Sequence, residues 1–327
     1  MKNLIALFKI KEAQAVFLLF GIFFGWWLWL MPYSTDMQRQ VWSALYQVLA
    51  WFGCAVGIAA FRSLGGFKSP LAKAILGFSL GLLFQSFGQT GYSYYILFRH
   101  IAVPYPSWAD AGFFGSIPFY CYGILQLAKV SVVGGLSLKS LSHKIQAFLI
   151  PSGILALSYY VFLKGYIFDW SDPAKIFLDF GYPLGEAVYI SIAILTFVQS
   201  RKILGGVMKG PATFLIMALM FQYISDYTFL YQANRGLWRT AGTGDFMYTI
   251  SYLLMSLGII YTSEVSKRVR EMNVYGDRMV FTSPADDFAL VVENKELAEA
   301  LRKGFLTSFF HWLRRAKHRA LNPIFAS

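Results

Sequence analysis

The chain has 327 residues, 57% of them hydrophobic, 18% aromatic and only 14% charged, with a mean hydropathy of +0.50. A soluble domain carries about a quarter charged residues, so this chain lacks the solvated side chains to cover a globule of its size. A disordered chain, a secreted disulfide scaffold and an ordinary cytosolic enzyme are excluded together, which leaves an all-α polytopic membrane protein. The formal net charge of +12 would suit a nucleic-acid binder only if it were gathered on a reading motif, and none accompanies it.

A spanning helix needs about 20 mostly apolar residues. Eight stretches qualify: 14–32, 41–61, 72–98, 110–129, 145–164, 174–199, 211–233 and 245–263. The first follows Lys2, Lys9 and Lys11 and runs apolar from Ala13 to Met31, too long for a signal-peptide core, with no small-residue cleavage site before Pro32. It reads as a retained span whose Trp26, Trp27 and Trp29 sit in the outer interfacial belt. Residues 1–263 then form an eight-helix transmembrane domain and residues 264–327 a short tail.

Charge sets the expected orientation. The N-terminus and the loops after spans two, four and six carry +11, including Arg62, Lys68, Lys73, Lys129, Lys139, Lys144, Arg201, Lys202 and Lys209. The opposite side, with Arg99, Arg235 and Arg239 among its cations, sums to −2. Lysine and arginine mark the cytoplasmic side, so both termini are expected there, in a bacterial inner membrane; the absence of any N-x-S/T acceptor agrees with a prokaryotic chain. The tail is +3, punctuated by Gly276 and Ser283-Pro284, with a short strand expected over Phe288–Val292. From Asn294 it turns helical, and Phe305, Phe309, Phe310 and Trp312 beside Arg314, Arg315, Lys317 and Arg319 suit an amphipathic helix on anionic lipid headgroups, or aromatics packed on cytoplasmic loops. Cys54 and Cys121 lie in apolar stretches and act as small apolar fillers.

Helices that begin on the outer side share an opening. Asp110, Asp179 and Asp245 are each followed by an aromatic three residues on (Phe113, Tyr182, Tyr248) and a small residue six on (Ser116, Gly185, Ser251). Phe84-Gln85-Ser86-Phe87-Gly88-Gln89 in span three is echoed by Phe221-Gln222-Tyr223-Ile224-Ser225-Asp226 in span seven. Spans three–four and seven–eight therefore read as copies of one hairpin, with five–six a diverged third.

Ionisable groups at membrane depth need a partner or a function. Asp110, behind Ser107, and Asp245, behind Gly242-Thr243-Gly244, can cap helix N-termini, and Asp172 before Pro173 is a plain cap. Asp179, Glu186 and Asp226 resist that explanation. Asp179 lies about two turns and Glu186 about four inside span six, and Pro183 between them should kink the helix. Asp226 stands near the negative end of span seven, one turn from Gln222, as Gln89 stands one turn from Gln85. One reading is an internal hydrogen-bond and ion-pair network with Arg99, Arg235 and Arg239 as counter-ions. The other is an outward-opening polar pocket lined by Gln89, Glu186 and Asp226 and rimmed by Asp110, Asp245 and aromatics. The full candidate ligand- or ion-binding set is Gln85, Gln89, Asp110, Asp179, Glu186, Gln222, Asp226 and Asp245.

Catalysis has little support. No H-E-x-x-H, G-x-S-x-G, C-x-x-C or P-loop spacing is present, and the G-x-G-D of Gly242–Asp245 lacks the Y-D partner of intramembrane aspartic proteases. No catalytic residue, metal or cofactor is indicated.

Pro106-Ser107-Trp108-Ala109-Asp110, Asp179-Phe180-Gly181-Tyr182-Pro183 with Glu186 three residues on, and Gly244-Asp245 appear in an order that resembles the polytopic sensor regions of some bacterial diguanylate cyclases and histidine kinases. The likeness covers roughly residues 80–263 and departs from the pattern in having no cyclase, kinase or coiled-coil segment after it. It implies an integral membrane sensor that binds a small ligand or cation and signals through the tail or a cytoplasmic signalling protein. A small ion- or proton-coupled transporter or channel is the competing expectation, and an intramembrane enzyme a distant third.

Overall fold

The computed structural model describes residues 7–32, 34–131, 141–200, 209–233, 235–275, 279–282 and 289–292. The chain divides into two units, Met1–Val265 and Ser266–Ser327. The expectations that rest on Lys2, Lys139, Arg201, Lys202, Gly276, Ser283-Pro284 and the amphipathic segment from Asn294 onward lie outside the described residues.

The first unit is all helical. Helix α1 (Lys11–Leu30) is followed by α2 (Asp36–Leu45) and α3 (Val48–Ser63), which together form the second span. Thr35 starts α2 with a capping box: its hydroxyl accepts the Gln38 N–H and the Gln38 side chain accepts the Thr35 N–H. Helix α4 (Pro70–Ser93) opens with Ser69 as cap and Pro70 in its first turn. It runs into a π turn, Tyr94–Phe98. Then come α5 (Trp108–Ser131), α6 (Leu141–Ser158) with its own π turn at Tyr159–Leu163, α7 (Pro173–Ser200), α8 (Lys209–Ala233) and α9 (Thr243–Tyr275). In the second unit, strand β1 (Met279–Thr282) pairs antiparallel with β2 (Ala289–Val292), so the strand expected at 288–292 has a partner.

Seven of these helices are long and apolar enough to cross a membrane, and the chain is a multi-pass membrane protein. The expected eighth, α5, has the length at 24 residues but falls short in apolarity, because Gly112, Gly115, Gly123, Pro118 and Gln126 dilute it. The physical reason is its place in the bundle: it packs on α4, on α7 and on α8. A helix with protein on several sides needs less lipid-compatible surface. Its seam with α4 is backbone against backbone. A methyl on Gly77 would lie 2.7 Å from the Gly123 Cα, and one on Gly112 would lie 2.5 Å from the Gly88 Cα. By contrast α6 is peripheral, with Leu141, Phe148 and Leu149 exposed. Helix α7 continues through Pro183.

The two hairpins that read as copies make matching bonds. Gln85 Nε2 donates to Ser116 Oγ at 2.8 Å across α4–α5, and Ser251 Oγ donates to Gln222 Oε1 at 2.9 Å across α8–α9. These are the same two positions in each copy. The middle hairpin joins the set through its turn. Ser93-Tyr94-Tyr95 and Ser158-Tyr159-Tyr160 each enter a π turn, which ends on a basic residue whose N–H donates five residues back: Arg99 to Tyr94 at 3.1 Å, Lys164 to Tyr159 at 2.8 Å. A positive φ follows in both, at His100 and Gly165, and again after Arg235 at Gly236.

Candidate functional site

Asp110 and Asp245 stand in the first turns of α5 and α9 and Asp179 lies about two turns into α7, and each of these acids accepts at least one tyrosine hydroxyl. Asp110 Oδ2 accepts the Ser107 N–H at 2.7 Å and the Ser107 hydroxyl at 3.2 Å, the reach-back of a capped first turn, while Oδ1 accepts the Tyr182 hydroxyl at 2.9 Å. Asp172 caps α7 by accepting the Lys175 N–H at 2.9 Å. Asp179 accepts Tyr105 at 2.9 Å, Tyr166 at 2.7 Å and the Lys175 ammonium at 2.7 Å. In the connecting loops, burial and the bond to Asp179 raise the Tyr105 phenol, and the bond to Asp179 raises that of Tyr166. The exposed Asp169 is lowered by the hydroxyl and N–H of Ser171.

Asp245 sits deeper. Its Oδ2 accepts the Ala241 N–H at 2.7 Å and the Ser43 hydroxyl at 3.0 Å, and Oδ1 accepts the Tyr46 hydroxyl at 3.4 Å. Ala241 is pinned from the other side, its carbonyl accepting the Trp27 indole N–H at 3.1 Å while Trp27 stacks on Phe246 at 4.3 Å. Part of the Trp27 ring is therefore held against the protein, because the loop ahead of α9 gives its N–H a partner. Gln89 joins this group, donating to the Ser43 carbonyl at 2.8 Å.

The remaining acids meet in the interior. Asp226 on α8 accepts Tyr248 at 2.8 Å, Tyr189 at 3.4 Å and both oxygens take the Gln222 amide at 3.1 Å. Glu186 on α7 is 1% exposed and within electrostatic reach of Asp226, yet its Oε2 has no hydrogen-bond partner among the described residues. The buried Tyr120 hydroxyl is likewise unpartnered; its ring packs on Tyr189 at 6.0 Å, so Tyr189 stands among Glu186, Asp226 and Tyr120. An unpaired buried carboxylate costs several kcal/mol, and a second one beside it adds like-charge repulsion. This pair can hold a proton or a small cation among carboxylate and hydroxyl oxygens.

The eight residues expected to share one pocket are thus divided. Glu186, Asp226 and Gln222 come together; Asp245 and Gln89 form a neighbouring group around Ser43; Gln85 lies between, accepting Tyr252 at 3.4 Å. Asp110, in the first turn of α5, and Asp179, two turns into α7, make separate sets of bonds. The arginines expected as counter-ions do not serve these acids among the described residues. Arg235 lies over the Tyr231 ring at 3.8 Å instead, because its short connection keeps it beside its own helix end. What sequence reasoning missed is the tyrosines. Tyr46, Tyr189, Tyr248 and Tyr252 supply the donors or the packing around the acids, and the signal was present in Tyr248 and Tyr252, which share a face of α9 with Asp245. Cys54 is buried and both cysteines are free, as expected of fillers.

No family model matches the chain, and no curated protein or solved structure is significantly similar to it.

Proposed function

We propose that the chain is a membrane sensor module that takes up a proton or a small monovalent cation at Glu186 and Asp226. On this reading α5 is an eighth span, both termini are cytoplasmic in a bacterial inner membrane, and the tail from residue 264 or a cytoplasmic partner carries the signal. The carrying observation is the pair itself: Glu186 Oε2 is buried without a donor beside Asp226. The hairpin comparison adds weight. At the position of Asp226 the other copy has Gln89, which satisfies its surroundings without charge. The carboxylate of Asp226 accepts from two tyrosines and an amide and brings a charge that an amide would not, which suits a site for a proton or a cation. The order of P-S-x-A-D, Y-P-x-x-acid and G-D along the chain supports sensing over transport.

The test is pH-difference infrared spectroscopy of the purified full-length protein in nanodiscs, with and without sodium. A carboxyl band that changes with pH or sodium and disappears in Glu186→Gln and Asp226→Asn is expected, with no ion flux in proteoliposomes. An invariant spectrum overturns cation binding at the pair; sustained proton or sodium flux that Asp226→Asn abolishes makes the protein a transporter.

A further inference from the structure

The first turns of α7 gather a second set of groups. Asp179 accepts the Tyr105 hydroxyl, from the connection ahead of α5, at 2.9 Å and the Tyr166 hydroxyl, from the connection ahead of α7, at 2.7 Å. The Lys175 ammonium completes the set, donating to Asp179 at 2.7 Å with its nitrogen 5.9 Å from the centre of each tyrosine ring. A cation within about 6 Å of an aromatic face is attracted by the ring quadrupole, so one carboxylate and two rings converge on one ammonium. Phe168 and Phe180 back the Tyr166 ring at 5.2 and 5.1 Å. We propose that this cluster is a recognition site for an organic primary ammonium ion, which Lys175 occupies in cis until a free amine takes its place.

An ordinary ion pair needs only two opposite charges, whereas here the acid is fixed without its lysine. Two hydroxyls from different connections hold Asp179, so loss of Lys175 leaves the carboxylate aimed and both rings beside it, a pre-organised site for another cation. Charge favours that cation. Residues 164–179 carry Asp169, Asp172 and Asp179 against Lys164 and Lys175, and Lys164 is drawn over the Tyr160 ring at 4.9 Å. Exposure permits the exchange: the Lys175 side chain is 45% exposed and that of Asp179 20%, so the lysine can swing into water and an amine can follow. Asp172, which accepts the Lys175 N–H at 2.9 Å, stands in the same turn to attract the displaced ammonium. The ligand class follows from the occupant. Donation to Asp179 selects an ammonium that carries hydrogens, and two aromatic faces favour an alkyl-substituted one over a hydrated metal ion. The site shares no residue with the Glu186 and Asp226 pair.

The experiment is saturation-transfer NMR on the methyl signal of methylammonium, with the full-length protein in nanodiscs at fixed ionic strength. The wild type should bind weakly. Lys175→Ala should bind about tenfold more tightly, the gain expected if the lysine fills the site nine-tenths of the time. Asp179→Asn in that background should abolish binding, and tetramethylammonium, which has no N–H to donate, should bind more weakly than methylammonium. Glu186→Gln should leave the wild-type affinity unchanged. A second readout needs no variant: methylammonium should raise the acetylation of Lys175 relative to that of Lys164 in the wild type, measured by mass spectrometry, because displacement frees the Lys175 amine. Equal affinity in the wild type and Lys175→Ala, binding that survives Asp179→Asn, tetramethylammonium held as tightly as methylammonium, loss of binding in Glu186→Gln, or an unchanged Lys175-to-Lys164 ratio would each overturn the proposal.

Discussion

Gln89 and Asp226 occupy matching positions in the echoed runs of α4 and α8, and a charge separates them. Gln89 finds a carbonyl at 2.8 Å; Asp226 draws in two tyrosines and an amide. Asp226→Asn, of the same size but with one acceptor oxygen in place of two, should lose one of these tyrosine bonds and about 1 kcal/mol of stability, one hydrogen bond's net worth, along with its carboxyl signal. Glu186 is the opposite case. Its Oε2 contributes burial cost and no bond among the described residues, so Glu186→Met, which keeps the shape and removes the polar atoms, should stabilise the protein by about 1–3 kcal/mol, the penalty attached to an unsatisfied buried polar group. Thermal unfolding in detergent measures both; a destabilised Glu186→Met would mean that the carboxylate has a structural partner. The capping role of Asp110 and the depth of Glu186 were legible in the sequence, because N-terminal spacing and distance from a helix start are local properties. The tyrosine donors were not, because their hydroxyls come from other helices, and only three-dimensional packing decides which hydroxyl reaches which acid.

At the scale of the element, glycines separate seams from surfaces. Gly112 faces the Gly88 backbone at van der Waals limits, whereas Gly21 and Gly25 on α1 meet nothing within 4 Å. Gly112→Ala has no flexible side chain to displace and should destabilise by about 3 kcal/mol, the upper range for overpacking. Gly25→Ala should instead gain about 0.5–1 kcal/mol by removing a flexible residue from a helix interior. Chemical denaturation of the two variants separates them, and a neutral Gly112→Ala would show that the α4–α5 seam can open. Span positions were legible because hydrophobic length is written directly in the chain. The α4–α5 seam was not, since small residues at a close crossing look the same as small residues facing lipid. The paired Ser-Tyr-Tyr runs at 93–95 and 158–160 could have been recognised as the mark of the third copy, but the π turns that give them meaning are backbone features.

For the whole molecule the open quantity is parity. If α5 crosses the membrane, the turn at Phe67 and the start of α6 at Leu141 lie on one side and the loop at Trp170 on the other; if it does not, Phe67 and Leu141 are separated. All three side chains are exposed, so each site accepts a reporter. With Cys54 and Cys121 replaced by serine, single cysteines at positions 67, 141 and 170 can be labelled with a membrane-impermeant maleimide. Labelling of position 170 in intact cells, and of 67 and 141 only after permeabilisation, is expected from the excess of lysine and arginine on the side of Arg62 and Lys68. The reverse pattern would invert the orientation while keeping eight crossings, and a split between 67 and 141 would leave seven. Sensing depends on that parity. With eight crossings the openings of α5, α7 and α9, and with them Asp110 and Asp245, face the outside, the side from which a cation has to reach Glu186 and Asp226 if the protein is to report on the medium.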